Sequence, residues 1–214
     1  YLLKKNVIIT SDEFILNADF VKAFFNKDLY DIEYMESQGN VKFKSSKGAE
    51  GEGQKINFSL KNNLIEVFGE NSFLIMNDLK MISDRFIKID DTKGEFFLEG
   101  KNSKLETEDK IIVGNNIKGT YEKINEQNEI ISLNATVEEG GLVEITTKTL
   151  KMFSLKAIYS KKDNIIELFD SVKVIRNNET IVGDYAKVNT LDESYKVTSY
   201  NTNKVKVLID NTNE

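Results

Sequence analysis

The chain has 214 residues and contains no Pro, Cys, His or Trp. Without Cys and His it has no disulfide, no thiolate nucleophile, no Ser-His-Asp triad and few groups that bind transition metals. Its formal charge of −6 argues against a surface for nucleic acid. No apolar run approaches the roughly 18 residues of a membrane-spanning helix. We therefore expect a protein that is not an enzyme, with no catalytic residue, metal or cofactor.

The chain begins with Tyr1 and not with Met. We expect that an N-terminal segment, which could hold a signal peptide or a membrane anchor, has been removed. The length is that of one domain. We expect a single elongated domain over residues 1–210 and a polar tail over 211–214. The absence of Cys fits the cytosol and a disulfide-free envelope protein equally well.

The first apolar segment, 11–25, fits two patterns. Ser11 could cap an amphipathic helix that carries Phe14 and Val21 on one face. A period of two, which places Phe14 and Leu16 on one face, instead predicts a strand. We favour the strand because the neighbouring segments all have β patterns.

Short alternating segments continue along the rest of the chain. Between 165 and 174, a period of two places Ile166, Leu168, Val172 and Val174 on one face. Turns rich in Asn, Asp, Lys and Gly separate such segments about every 8–12 residues. This pattern predicts an all-β protein.

The strands form a degenerate repeat. Each unit has a polar turn, an alternating strand, a small residue and a second alternating strand. We expect a bulge or bend at the small residue, where the chain passes from one sheet wall to the other. The small residues, spaced by 30, 31, 35, 35 and 31 positions, are Gly39, Gly69, Gly100, Ala135, Asp170 and Asn201.

The apolar face that recurs in these units is the candidate lining of the interior. Stacked repeats bury such a face in one continuous core. The predicted lining residues are Val41, Phe43, Ile65, Val67, Phe73, Ile75, Phe96, Leu98, Leu105, Ile131, Leu133, Val137, Ile166, Leu168, Val172, Val174, Val197, Val205 and Val207.

One pair of carboxylates offers a different function. Glu138 and Glu139 could serve a glycosidase, which needs two converging carboxylates. Gly140 and Gly141 follow directly, and we therefore favour a hairpin turn. Asp90 and Asp91 lack the ligand spacing of a calcium loop and also predict a turn.

Several segments resemble the OstA-like repeat of the lipopolysaccharide transport proteins. NIIELFDSVKV and ETIVGDYAKVN have its strand, step and strand, and YMESQGNVKF has its Gly39-Asn40-Val41 core. FILNADFVKAFF is similar through Ala18-Asp19. VFGENSFLI and LEGKNSKLE are similar through their glycines, and LNATVEE is similar more weakly. The resemblance extends from about Asn6 to Ile209.

This resemblance implies an open β-jellyroll, a folded and twisted antiparallel sheet sandwich built from two-strand repeats of about 30–35 residues. It implies a periplasmic carrier or bridge that holds the acyl chains of lipopolysaccharide, or of a related glycolipid, and passes them toward the outer membrane. It also implies end-to-end partners, namely other β-jellyroll components or a second copy of this chain. The chain looks closer to the bridge protein than to the membrane-anchored, LptC-type component.

A rival hypothesis is a structural or adhesive β-solenoid on a bacterial surface. Such a protein would have the same alternating strands but a filled core and no lipid cargo. The two hypotheses differ in whether the interior is accessible to lipid.

Overall fold

A computed structural model describes residues 1–26, 32–125, 127–200 and 203–209. Asn201 and the predicted tail, 211–214, lie outside the described residues. Within them, no helix is long and apolar enough to cross a membrane. The strands are β1 Leu2–Thr10, β2 Phe14–Phe25, β3 Ile32–Ser45, β4 Ala49–Ser59, β5 Leu64–Phe68, β6 Ser72–Met76, β7 Leu79–Ser83, β8 Phe86–Asp90, β9 Glu95–Glu106, β10 Ile111–Ile124, β11 Gln127–Thr136, β12 Val143–Thr146, β13 Lys151–Ser154, β14 Lys156–Ser160, β15 Ile165–Arg176, β16 Glu179–Asn189, β17 Tyr195–Thr198 and β18 Lys206–Ile209.

All pairings among these 18 strands are antiparallel, which confirms the all-β prediction. The segment 11–25 contributes strand β2, so the helix alternative is wrong. Alternation decides here because the side chains of a strand half-buried on one face point inward at every second residue.

The long strands bend near the middle, and their two halves belong to two facing walls. β3, for example, pairs with β4 over Tyr34–Gln38 and again over Val41–Lys44, with a register shift between. Wall 1 has the strand order β1, β2, β3, β4, β5, β8, β9, β10, β11, β14, β15, β16, β17. Wall 2 has the order β1, β2, β3, β4, β6, β7, β9, β10, β12, β13, β15, β16, β18.

The two walls meet along one side only. Every crossing from wall to wall, whether a bent strand or a short link, lies on a side that we call the fold line. The hairpin turns that join neighbouring strands of the same wall lie opposite, on what we call the open side. The result is the folded sheet sandwich of a β-jellyroll, open along one side.

Four of the predicted small residues, Gly39, Gly69, Gly100 and Asp170, lie at the fold line, where the backbone turns sharply. Gly39 has a φ of 80° and is followed by Asn40 at 46°; Asp170 has 61° and Ser171 has 53°. Left-handed angles suit Gly best and Asn or Asp next. Gly69 and Gly100 occupy equivalent crossings.

Two predictions along the repeat were wrong. Ala135 lies within β11, where it pairs with Ile117 and Ala157, so it makes no bend. The crossing follows at 137–142, which links β11 in wall 1 to β12 in wall 2. The glycines 140 and 141 therefore belong to a wall-to-wall link and not to a hairpin.

The core lies between the walls. Phe43 of wall 2 and Phe58 of wall 1 pack with ring centroids 4.6 Å apart. Leu98, Leu105 and Leu168 are fully buried. Inward side chains from both walls thus interdigitate, and much of the interior is filled by protein atoms.

Candidate functional site

The candidate site is the apolar interior and its open side, and most of the predicted lining residues lie there. Those that are buried are Val41, Phe43, Val67, Phe96, Leu98, Leu105, Leu133, Ile166, Leu168, Val172 and Val174. Ile65, Val137 and Val197 are half-buried and pack against the same core. Contact of any of these residues with lipid stays a prediction.

In β6 the residues that face the interior differ by one position from the predicted ones. Ser72 and Leu74 are buried, whereas Phe73 and Ile75 alternate with them and lie on the outer face. The segment from Phe73 to Met76 is apolar throughout, so alternation alone could not decide which face points inward. Leu74 replaces Phe73 and Ile75 as the interior residue of this strand.

Ile131 lies at a β-bulge. Tyr121 pairs with Ile130 and Thr120 pairs with Ser132, which leaves Ile131 without a partner across the ladder. A bulge inserts one residue and reverses the alternation beyond it. Ile130 and Leu133 consequently occupy the interior, and Ile131 is only half-buried.

The last two predicted lining residues are exposed. Val205 precedes β18, and Val207 in β18 has 52% of its surface exposed. Val207 pairs with the inward position Ile181, but β18 is the last strand of wall 2. A terminal strand has no further strand to cover it, so correct alternation does not bring burial there.

Many interior residues were missed. Most belong to the strands that return from wall 2 to wall 1 and to the short strands, which show the same alternation. Met35 is an exception, because β3 runs from wall 1 to wall 2. The largest that are fully buried are Leu16, Met35, Ile56, Leu79, Met81, Ile87, Ile89, Ile117 and Ile145.

Three cavities follow one another along the open side, between the hairpins of the two walls. The first, about 200 Å³, is lined by Phe14, Phe43 and Phe58. The second, about 500 Å³, is lined by Ile130 and by Ile166. The third, about 370 Å³, shares Ile166 with the second, so the two adjoin. Apolar interior surface is therefore reachable from the open side even where the rest of the core is packed.

One hairpin of wall 1 is longer than its neighbours. β10 and β11 pair from Asn116 to Ile124, whereas β8 and β9 pair in wall 1 only over 86–90. The bulge at Ile131 lies at the base of the extra length. We call residues 121–125 and 127–130 the lid hairpin.

The lid hairpin is bonded to both walls. The Asn128 side chain donates from Nδ2 to the Met76 carbonyl of wall 2 at 3.0 Å, and its backbone N–H donates to Asp78 Oδ1 at 2.9 Å. On wall 1, Tyr121 Oη donates to Asp91 at 2.8 Å. Burial first, and then this hydrogen bond, raise the pKa of Tyr121.

A second polar contact crosses the open side farther along the chain. The Thr149 hydroxyl of wall 2 donates to the Glu193 carboxylate of wall 1. The Arg176 guanidinium lies 4.9 Å from the Tyr195 ring centroid, again from wall 2 to wall 1. The second and third cavities thus lie between two polar contacts that join the walls.

The rim of the second cavity carries paired charges. Burial of Asp109 opposes ionisation, but the hydrogen bond and charge of Lys110 outweigh it and lower the pKa of Asp109. Burial and the nearby Asp109 raise the pKa of Tyr159. The Lys110 ammonium lies 5.6 Å from the Tyr159 ring centroid, and Lys148 also borders the cavity. Both signs of charge are present around an apolar opening.

In the described ranges, no three Asp or Glu residues come together as a group that could hold a metal ion. Glu138 and Glu139, the pair considered for glycoside hydrolysis, are exposed on the link between β11 and β12. The arrangement as a whole can bury apolar groups and form hydrogen bonds at a rim.

No protein-family profile matches the chain, and no curated protein matches it either. A solved structure does: LptH of Pseudomonas aeruginosa, described as the LptA-homologous periplasmic component of the conserved lipopolysaccharide transport device. The TM-score is 0.51, and the alignment covers 96% of LptH and 63% of this chain at 16% identity. The fold is the LptA-like β-jellyroll. About a third of this chain extends beyond the part that LptH matches, so its jellyroll has additional strands.

Proposed function

We propose that this chain is a periplasmic component of lipopolysaccharide transport, which holds acyl chains between its two walls and passes them on toward the outer membrane. The observation that carries the proposal is an LptA-like jellyroll whose apolar interior opens through cavities along one side. Each methylene moved from water into such an interior contributes about 0.8 kcal/mol. The polar head stays in water at the open side.

In this function the cavities and the charged rim have the main roles. The second and third cavities, which share Ile166, receive acyl chains. Lys110 and Lys148 at the rim are placed to contact an anionic headgroup. No catalytic role is part of the proposal.

The test is site-specific photo-crosslinking to purified lipopolysaccharide. A photoreactive residue at Ile166, which is buried and borders two cavities, is expected to capture the lipid. The matched control is Ile165, its neighbour in β15, which alternates to the outer face. Capture at 166 and none at 165 supports the proposal. Equal capture at both positions, or none at 166, contradicts it.

A second candidate is a structural β-solenoid with a filled core. The observation in its favour is the packing, since Leu98, Leu105 and Leu168 are fully buried by other protein atoms. This candidate predicts that no lipid co-purifies with the protein. Native mass spectrometry after extraction from membranes separates the two candidates.

We further propose that the partners are jellyrolls joined end to end. The end strand β1 pairs with β2 alone among the described residues, and β17 and β18 pair with β16 alone. Unpaired strand edges are a template for another strand. Exposed apolar side chains accompany these edges, including Ile8 at one end and Leu208 at the other.

A further inference from the structure

Among the described residues, the lid hairpin extends farther from the fold line than the other hairpins of wall 1. The neighbouring hairpins of wall 1 are short. The β8–β9 ladder, for example, has five pairs and stops at Asp90 and Glu95. The β10–β11 ladder continues past its bulge to Ile124 and Gln127. Because a bulge bends the strand and increases its twist, it can direct the extra length across the opening.

The lid hairpin lies at the boundary between two cavities. Lys123 lines the first cavity, together with Asp91. Ile124, Gln127 and Asn128 line the second. The apolar groove along the open side is therefore divided at this point.

The contact that closes the lid hairpin onto wall 2 is small and polar. Its hydrogen bonds are Asn128 Nδ2 to the Met76 carbonyl and the Asn128 N–H to Asp78, and at the base of the hairpin Ile130 is buried in the interior. A carbonyl can only accept, so the amide must present its nitrogen to Met76. Two such bonds are few compared with the ladder that joins the two strands of the hairpin to each other, over Tyr121–Ile124 and Gln127–Ile130.

The closed position also has an unmet polar group. Asn128 is 2% exposed, and its Oδ1 is buried without a hydrogen-bond partner among the described residues. An unsatisfied buried acceptor is unfavourable compared with the same group in water. Opening would expose this oxygen to water. The cost of burying it therefore offsets part of the stabilisation that the two hydrogen bonds give the closed position.

We propose that the lid hairpin is a displaceable bar across the groove, and that lipid moving between the first and second cavities releases Asn128 from wall 2. This inference rests on the proposed function, since it assigns a regulatory element to the same groove. Acyl chains held on one side of the bar are kept there until it opens.

The test uses the absence of cysteine in the chain. In the reduced form of the double variant Asp78→Cys/Asn128→Cys, both hydrogen bonds are lost, because the Asn128 amide and the Asp78 carboxylate are absent. In the oxidised form, a disulfide between positions 78 and 128 links the lid hairpin to wall 2. Release of fluorescent lipopolysaccharide is measured in both redox states. We expect the oxidised form to release lipid at least about tenfold more slowly, and reduction to restore the rate.

Equal release rates in the two states, with lipid bound in both, would contradict the proposal that the lid hairpin controls lipid movement. They would leave the proposed function intact. If neither state binds lipid, the proposed function fails. Hydrogen exchange then tests separately whether the Asn128 contact holds the lid hairpin closed. In Asn128→Ala, the amides of 121–125 and 127–130 are expected to exchange roughly tenfold faster than in the wild type.

The control for exchange is Asn134→Ala. Asn134 lies on the same strand, β11, but on its outer face and away from the open side. It should leave the exchange of the lid hairpin unchanged. Unchanged exchange in Asn128→Ala as well would show that the side-chain bond to the Met76 carbonyl, which this variant removes, does not hold the hairpin closed, and this contradicts the proposal.

Discussion

Asparagine supplies most of the left-handed backbone angles outside glycine. Among the described residues, nine of the thirteen non-glycine residues with positive φ are Asn, at crossings such as Asn40 and Asn102 and at hairpins such as Asn63 and Asn164. Asn tolerates this region because its short polar side chain bonds to the local backbone. A proline could not adopt these angles and would also remove a ladder donor. The lack of Pro is thus consistent with a chain that alternates between paired strand and left-handed turn.

Two glycines with similar backbone angles have very different surroundings, and this gives a prediction at the residue scale. A Cβ at Gly39 would lie 2.3 Å from Asp19 Oδ2, whereas a Cβ at Gly140 would meet nothing within 4 Å. Gly39→Ala should therefore lower the free energy of unfolding by at least about 1 kcal/mol more than Gly140→Ala. Urea unfolding of both variants measures the difference.

Because φ is 80° at Gly39 and 84° at Gly140, the cost of the left-handed angle cancels in this comparison. The difference reports the contact between the glycine of one crossing and the aspartate of the crossing beside it. Equal destabilisation would mean that Asp19 moves aside freely, and that the fold line is not closely packed.

At the scale of elements, β6 tests which face points inward. Leu74 is fully buried and Ile75 alternates to the outer face. Leu74→Ala should cost about 2–5 kcal/mol because it leaves a cavity in the core, and Ile75→Ala should cost clearly less. Thermal or denaturant unfolding of the two variants decides the register. The reverse order would restore Phe73 and Ile75 as interior residues.

The strands and their spacing could be predicted from the sequence, because side chains alternate wherever one face is buried and the other is not. In β15, Ile166 and Leu168 are inside as predicted. The prediction chose the wrong inward-facing residues where the alternation is ambiguous or interrupted. Examples are the uniformly apolar β6 and the bulge at Ile131.

The cavities and the lid hairpin could not be predicted. They depend on which hairpins of the two walls face each other across the open side, and the contact of Asn128 with Met76 joins positions 52 residues apart. Alternation within a strand reports its own inward face and carries no information about the opposite wall. In the sequence, the polar residues of the lid hairpin predict only an ordinary turn.

At the scale of the whole molecule, the two ends of the sandwich predict association. Ile8 in β1 is 69% exposed beside an unpaired strand edge. If copies join through this edge, a charge there must be buried or excluded on contact. Ile8→Lys should therefore weaken self-association about tenfold, as measured by light scattering against concentration.

The control is Leu142→Lys, which places the same charge at an exposed apolar position on the link between β11 and β12, away from both ends. It should associate as the wild type does. A wild type that stays monomeric at high concentration would argue against self-association and leave only a different jellyroll as the end-to-end partner.

The zigzag between walls keeps paired strands close along the chain. The widest pairing in the described ladders, Ile111 with Thr146, joins positions 146 − 111 = 35 residues apart. Folding can consequently proceed by adding one unit to the next, without first bringing the distant termini together. Each unit adds two strands to each wall, or about 10 Å at the usual strand spacing. A gene that gains or loses one unit would thus change the length of the groove, about 60 Å over thirteen strands, without altering its cross-section.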